Sequence, residues 1–230
     1  MNRYNPDYKT WIAVDCSIFG YDTDSRQLHV LLFKRKVEPF ANDWSLIGSI
    51  VQPHESTDEA AKRVLEEFTG LSKVYLNQLN CYSKINRDPG GRVLSVLYTS
   101  LIEFKAISEE KASKFGASWF KFNALPEVVL DHNEMINNAI AFLQKNANSN
   151  PIGFELLPKL FTLPQLLDLY QAIYGRTIDD RNFRKKILST GLLIKHDKKD
   201  KSTSKKGAFL YQFDKVKYKQ LVNNGFHIEF

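Results

Sequence analysis

The chain has 230 residues, 43% apolar and 13% aromatic, with a formal net charge of +6. That length and composition suit one large domain or two small ones around a proper core. No apolar run reaches about 18 residues, so no transmembrane helix is indicated. The first residues, MNRYNPDYKTW, lack the apolar core of a signal peptide. Cys16 and Cys81 are the only cysteines, each in an apolar strand-like segment. They are expected as buried thiols in a reducing cytoplasm. The charge is uneven: residues 151–230 hold 15 Lys and Arg against 8 Asp and Glu, while residues 1–150 hold 17 against 18. A basic C-terminal third points to a polyanionic partner, nucleic acid before membrane.

WIAVDCSIFGYD (11–22) and LHVLLFKRK (28–36) are rich in β-branched and aromatic residues, with a turn-like DTDSRQ between them. They read as a strand pair, and DWSLIGSIV (43–51) as a third strand. Ser56 and Glu59 then form a capping-box pair ahead of a helix. Ala60, Ala61, Val64, Leu65 and Phe68 give that helix an apolar stripe, and Gly70 stops it. Residues 74–85 and 92–104 read as strands joined by the turn-forming Asn86-Arg87-Asp88-Pro89-Gly90-Gly91. A short strand at 117–122 precedes a helix capped by Asp131 and Glu134. The first part is therefore expected to be a mixed sheet with helices packed on it. The polar NANSNPIG (146–153) is the best boundary, which divides the chain into domains 1–148 and 149–230.

The tail follows different rules. Thr162, with Gln165 three residues on, caps an amphipathic helix that ends at Gly175 and carries Pro164 in its first turn. A second helix is expected over 178–191, with Ile178, Phe183, Ile187 and Leu188 mostly on one face. Two short helices, the second crowded with basic residues, then a hairpin around KKDKSTSKKG, make a winged helix-turn-helix. A recognition helix presents its N-terminal half to base edges, and Arg and Asn read guanine and adenine. Arg181, Asn182 and Lys185 are the base-reading candidates, with Arg184 and Lys186 for phosphates. Thr162 and Gln165 are placed near the DNA backbone, and Lys198, Lys199, Lys205 and Lys206 form a basic wing.

The segment GSIVQPHESTDEAAKRVLEEFTGL (48–71) resembles the Nudix signature. Glu55, Arg63, Leu65, Glu67, Gly70 and Leu71 match the family pattern, whereas Ser49, Val64 and Phe68 replace its glycine and two of its glutamates. Positions 64, 67 and 68 share one helix face. Magnesium wants a set of oxygen ligands there, and one carboxylate between a valine and a benzyl ring does not supply it. Glu66 does not substitute, because it sits about 100° round the helix from Glu67. The resemblance therefore implies a Nudix-like α/β/α sandwich with no catalytic residues, metal or cofactor. FELLPKLFTLPQLLDLYQAIYGRTIDDRNFRKKILSTGLL further resembles the C-terminal domain of Nudix-related transcriptional regulators of the NrtR/AraR type. That family implies an α+β, two-domain, cytoplasmic homodimer that binds double-stranded operator DNA and is released by a small effector.

Known branches of the family respond to ADP-ribose or to pentoses such as L-arabinose. A lone Glu67 would repel a diphosphate, so the expectation is a repressor of sugar catabolism that senses L-arabinose, with ADP-ribose as the alternative. Lys34, Asp43, Trp44, Glu67 and Tyr98 are the candidate effector contacts, each with a packing or ion-pair role as its alternative. The rival readings are an atypical hydrolase using Glu55, Glu66 and Glu67, and a module whose tail binds RNA or another protein.

Overall fold

The computed structural model describes residues 9–149, 152–202 and 206–223. They form two compact units. One comprises the described residues through Gly20 together with His29–Ala139; the other comprises Tyr21–Leu28 and the described residues from Ile140 onward.

The first unit holds β1 (Trp11–Asp22) up to Gly20, β2 (Gln27–Lys34) from His29, β3 (Trp44–Ser45), β4 (Ile47–Ile50), α1 (Thr57–Thr69), β5 (Asn77–Tyr82), β6 (Val93–Glu103), α2 (Glu109–Lys114), β7 (Ala117–Lys121) and the start of α3 (His132–Ser149). The sheet runs β3-β2-β1-β6-β5, with β4 added to β1 and β7 to β2. β1 is buried along nearly its whole length, on both faces, which is what a near-continuous apolar run requires of a central strand. Against this sheet α1 lays Ala60, Ala61, Val64 and Leu65. Its ends are closed as the sequence predicts. The Glu59 amide donates to Ser56 Oγ (3.3 Å) and the Ser56 amide to Glu59 Oε2 (2.8 Å). Gly70 ends the helix at φ 69°, a conformation that favours glycine.

The expected third strand, 43–51, is instead two strands. β3 pairs with β2 and β4 with β1. The break falls at Leu46, whose amide donates to His132 Nδ1 (3.0 Å) rather than to a neighbouring strand. Helix α2, capped by Ser108 Oγ, was not foreseen. Cys16 is buried, but Cys81 is exposed on β5, against expectation. Asp131 and Glu134 also do other work than the expected cap, receiving Arg87 and Lys84 respectively.

The second unit contains β8 (Phe161–Thr162), α4 (Leu163–Tyr174), α5 (Asp180–Ser189), β9 (Leu193–Asp200), β10 (Ala208–Phe213) and α6 (Lys215–Asn223). Its small antiparallel sheet runs β8-β10-β9. Leu166, Leu169, Tyr170 and Ile173 of α4 and Phe183 and Ile187 of α5 are all buried. The Tyr170 and Phe183 rings meet at 5.4 Å. The turn between β1 and β2 belongs to this unit, where Arg26 pairs with Asp168 (3.3 Å). The boundary between the units falls inside α3, ahead of NANSNPIG. No helix among the described residues is long and apolar enough to cross a membrane.

Candidate functional site

The first unit contains a cavity of about 410 Å³. Its walls come from β1, β2, the β3–β4 segment and α1, and four cationic side chains line it: Lys34, Arg35, Lys36 and Arg87. Phe33 and Phe68 form an apolar wall, their rings edge to face at 5.1 Å. Asp15, Arg87 and His132, which also line the cavity, belong to a buried network. Arg87 donates to both oxygens of Asp131 (2.6 and 2.9 Å) and lies 3.9 Å from Asp15. Ser95 Oγ donates to Asp15 Oδ2 (2.5 Å). His132 Nε2 is 3.7 Å from Asp15 Oδ1. Burial pushes the His132 imidazole below its ordinary value, although Asp15 and Asp131 pull the other way. Its Nδ1 already accepts the Leu46 amide, so the ring is held neutral. Gly48 has room for no side chain, because a Cβ would run into Asp15 and the Val14 carbonyl.

The signature helix does not fit a magnesium cluster. Val64 is completely buried in the core, and Phe68 packs on it partly buried. Arg63 donates to both oxygens of Glu55 (2.5 and 2.9 Å) and to Glu67 (3.3 Å). Those hydrogen bonds hold the Glu55 carboxyl down to about 2. No group of three or more His, Cys, Asp or Glu that could hold a metal occurs among the described residues.

Of the five expected effector residues, Lys34 alone lines the cavity. Trp44 stands beside it, with Lys34 Nζ 5.3 Å from its ring centroid, but the ring packs edge-on against Phe120 (4.8 Å). Asp43 is exposed and joins Arg35 through its backbone carbonyl. Glu67 is exposed and spends its charge on Arg63. Tyr98 is only 1% exposed; its hydroxyl donates to Asp58 (2.5 Å) and accepts from Thr57 (2.9 Å). Burial, then Asp58, raises that hydroxyl to about 12. Tyr98 is thus a core residue, because alternation along a strand marks burial but not which buried face meets a ligand. Asp15, Arg35, Lys36, Arg87 and His132 were missed. The run Lys34-Arg35-Lys36 was the one local signal that could have suggested some of them.

In the second unit Arg181, Asn182, Lys185 and Lys186 are exposed on α5, whose buried face is Phe183 and Ile187. Asp179 caps α5 by accepting the Asn182 amide (2.7 Å). Arg184 is half-buried, and its Nε donates to Asp180 one turn back (2.6 Å), which leaves it less free for phosphate than expected. Thr162 is 5% exposed and its hydroxyl accepts the Gln165 amide, so it builds the helix start rather than presenting itself outward. Gln165 is half-buried and returns the bond to the Thr162 amide (2.8 Å). Lys198 and Lys199 are exposed but belong to β9, not to the wing tip; Lys206 is exposed in the turn; Lys205 lies outside the described residues.

A mixed sheet carrying the signature helix, in one chain with a winged helix-turn-helix, defines a two-module class of protein. Residues 11–139 match the NUDIX domain and residues 153–213 the NrtR DNA-binding winged helix domain. The chain is 31% identical over 206 residues to the ADPR responsive transcriptional repressor NtrR of Acinetobacter baylyi, covering 88% of this chain and 81% of that one. The fold is similar to that of Shewanella oneidensis NrtR in complex with a 27mer DNA, with TM-score 0.76 and 26% identity over 94% of this chain and 97% of that one. It is also similar to the NUDIX domain of that protein in complex with ADP ribose, with TM-score 0.51 and 26% identity over 61% and 94% of the two chains. The protein belongs to the NrtR family of transcriptional regulators, which join a Nudix domain to a DNA-binding winged helix. None of these relatives is named for a sugar, and the expected arabinose branch finds no support among them.

Proposed function

We propose that the protein is a DNA-binding repressor whose Nudix unit senses ADP-ribose and does not hydrolyse it. The observation that carries this reading is the cavity lined by Lys34, Arg35, Lys36 and Arg87. The preference for a neutral sugar rested on Glu67 repelling a diphosphate. Glu67 lies outside the cavity lining and is paired with Arg63, so its own repulsion does not bear on the ligand; of the carboxylates that do line the cavity, Asp15 faces Arg87 and Asp88 stands beside it in sequence. Cations in place of a metal favour a phosphate-bearing effector through charge-assisted hydrogen bonds. The A. baylyi relative is named for its response to ADPR, and the Shewanella NUDIX domain was solved with ADP ribose. In this reading residues 1–148 sense and residues 149–230 bind, as a cytoplasmic homodimer on an operator with two half-sites. Arg181, Asn182 and Lys185 read bases; Lys186, Lys198, Lys199, Lys205 and Lys206 meet phosphates. Effector binding lowers operator affinity by a coupling of about 1–3 kcal/mol.

Titration calorimetry in EDTA, paired with a mobility-shift assay, tests this directly. ADP-ribose should bind without metal and release DNA, and L-arabinose should do neither. Binding of L-arabinose with indifference to ADP-ribose would overturn the effector assignment. Release of AMP from ADP-ribose in magnesium would revive the hydrolase reading.

A further inference from the structure

The wing strand β9 contains a pair of lysines that share one aromatic ring. Lys195 Nζ lies 3.9 Å from the Phe209 ring centroid and Lys199 Nζ lies 4.5 Å from the same centroid. Lys199 is directly opposite Phe209 in the β9–β10 ladder, whereas Lys195 is opposite Tyr211. Between these two positions the register slips, so four residue steps of β9 face two of β10. Such a bulge re-aims side chains, and from either side of it the two lysines reach one ring. Both lysines are exposed, and no carboxylate among the described residues pairs with either.

Two ammonium groups held around one ring repel each other. The π-face attracts each of them but neutralises neither. Neither ammonium has a carboxylate partner among the described residues, and the anion that suits two exposed cations on one ring is a phosphate of a polyanion. Ordinary surface lysines scatter to relieve repulsion and keep their rotamer freedom. These two are restrained before any ligand arrives, which lowers the ordering cost of contact.

We propose that Lys195, Phe209 and Lys199 form a phosphate clamp that grips the DNA backbone, with Phe209 as a positioning residue rather than a contact. This rests on the DNA-binding reading above and adds Lys195 and Phe209 to it. The clamp reads no sequence, so its contribution is the same on any duplex.

The test uses the full-length protein and a mixed-sequence DNA duplex, with affinity measured across a salt series. Each phosphate contact contributes about −0.9 to the slope of log K against log salt. Lys195→Ala and Lys199→Ala should each make the slope shallower by about that amount and weaken binding about three- to tenfold at moderate salt. Phe209→Leu should weaken binding of the wild-type pair, and Phe209→Trp should restore it. Phe209→Leu should change nothing further in the Lys195→Ala/Lys199→Ala background, with circular dichroism monitoring the fold of every variant. Wild-type slopes in both lysine variants would overturn the clamp. An equal loss from Phe209→Leu with and without the lysines would overturn the positioning role in favour of simple packing. A wild-type protein indifferent to duplex would overturn the DNA-binding reading itself.

Discussion

The two units use charge in opposite ways. In the Nudix unit, Arg87 and Asp15 are buried with the half-buried Asp131 beside them, and Glu55 and Glu67 are taken up by Arg63. In the winged-helix unit, Arg181, Lys185, Lys186, Lys195 and Lys199 are exposed, and no carboxylate among the described residues pairs with them. Buried, mutually satisfied charges set a geometry, since moving any one leaves another stranded in low dielectric. Exposed cations set an affinity instead, since their counterions are released when a polyanion arrives. The difference teaches that charge fixes a geometry in the first unit and is left available to a polyanion in the second.

Substitutions test this contrast, beginning with the largest effect. Arg87→Ala should destabilise the Nudix unit by about 3 kcal/mol in urea unfolding, because Asp131 and Asp15 lose their buried partner. A loss under about 1 kcal/mol would mean that the network does not hold the cavity floor. Lys34→Ala should weaken ADP-ribose about ten- to a hundredfold by calorimetry, the range expected for a lost charged hydrogen bond, with little change in stability. Arg181→Ala should cost about 1–3 kcal/mol on the operator and relax base preference at one position in a panel of operator variants. A uniform loss on every sequence would demote Arg181 to a phosphate contact.

Smaller effects come from pH and from the helix surface. His132 has a folded pKa below the value of about 6.5 it has when unfolded. Below that value the unfolded chain binds the proton first, so stability is present at neutral pH and falls as pH drops through the window beneath about 6.5. Asp131, held low by Arg87 despite its burial, adds a loss in the same direction at more acid pH. The His132 part is at most about 1.4 kcal/mol per pH unit. His132→Gln, which keeps an acceptor for the Leu46 amide, should flatten that slope above pH 5. Glu67→Gln should do least: under about 1 kcal/mol of stability, as for an exposed pair, and no change in ADP-ribose binding. A large gain in effector affinity from this variant would return Glu67 to the cavity.

The helix starts at Ser56 and Thr162 and the glycine stops at Gly70 and Gly175 are where the sequence reading predicts them. Each depends on a hydrogen bond reaching three or four residues, and a spacing of that size is visible in a string of letters. Less of the candidate site was legible. His132 breaks the strand at Leu46 from 86 positions away, and Arg87 reaches Asp131 across 44. Glu67 and Tyr98 have the residue types a ligand would use, yet Arg63 occupies the first and the core the second.

By itself, then, the amino-acid order determined the two modules, the replacement of two signature glutamates by Val64 and Phe68, and the basic character of the tail. All three follow from residue types at helical or strand spacing, where neighbours in sequence are neighbours in space. Only the tertiary structure decided that Lys34, Arg35, Lys36 and Arg87 line the cavity with Asp15 and Asp88 while Glu67 does not, that Tyr98 is inside, and that Lys195 and Lys199 share Phe209. Those outcomes depend on which side chains from distant strands reach the same point, and long-range packing sets that distance.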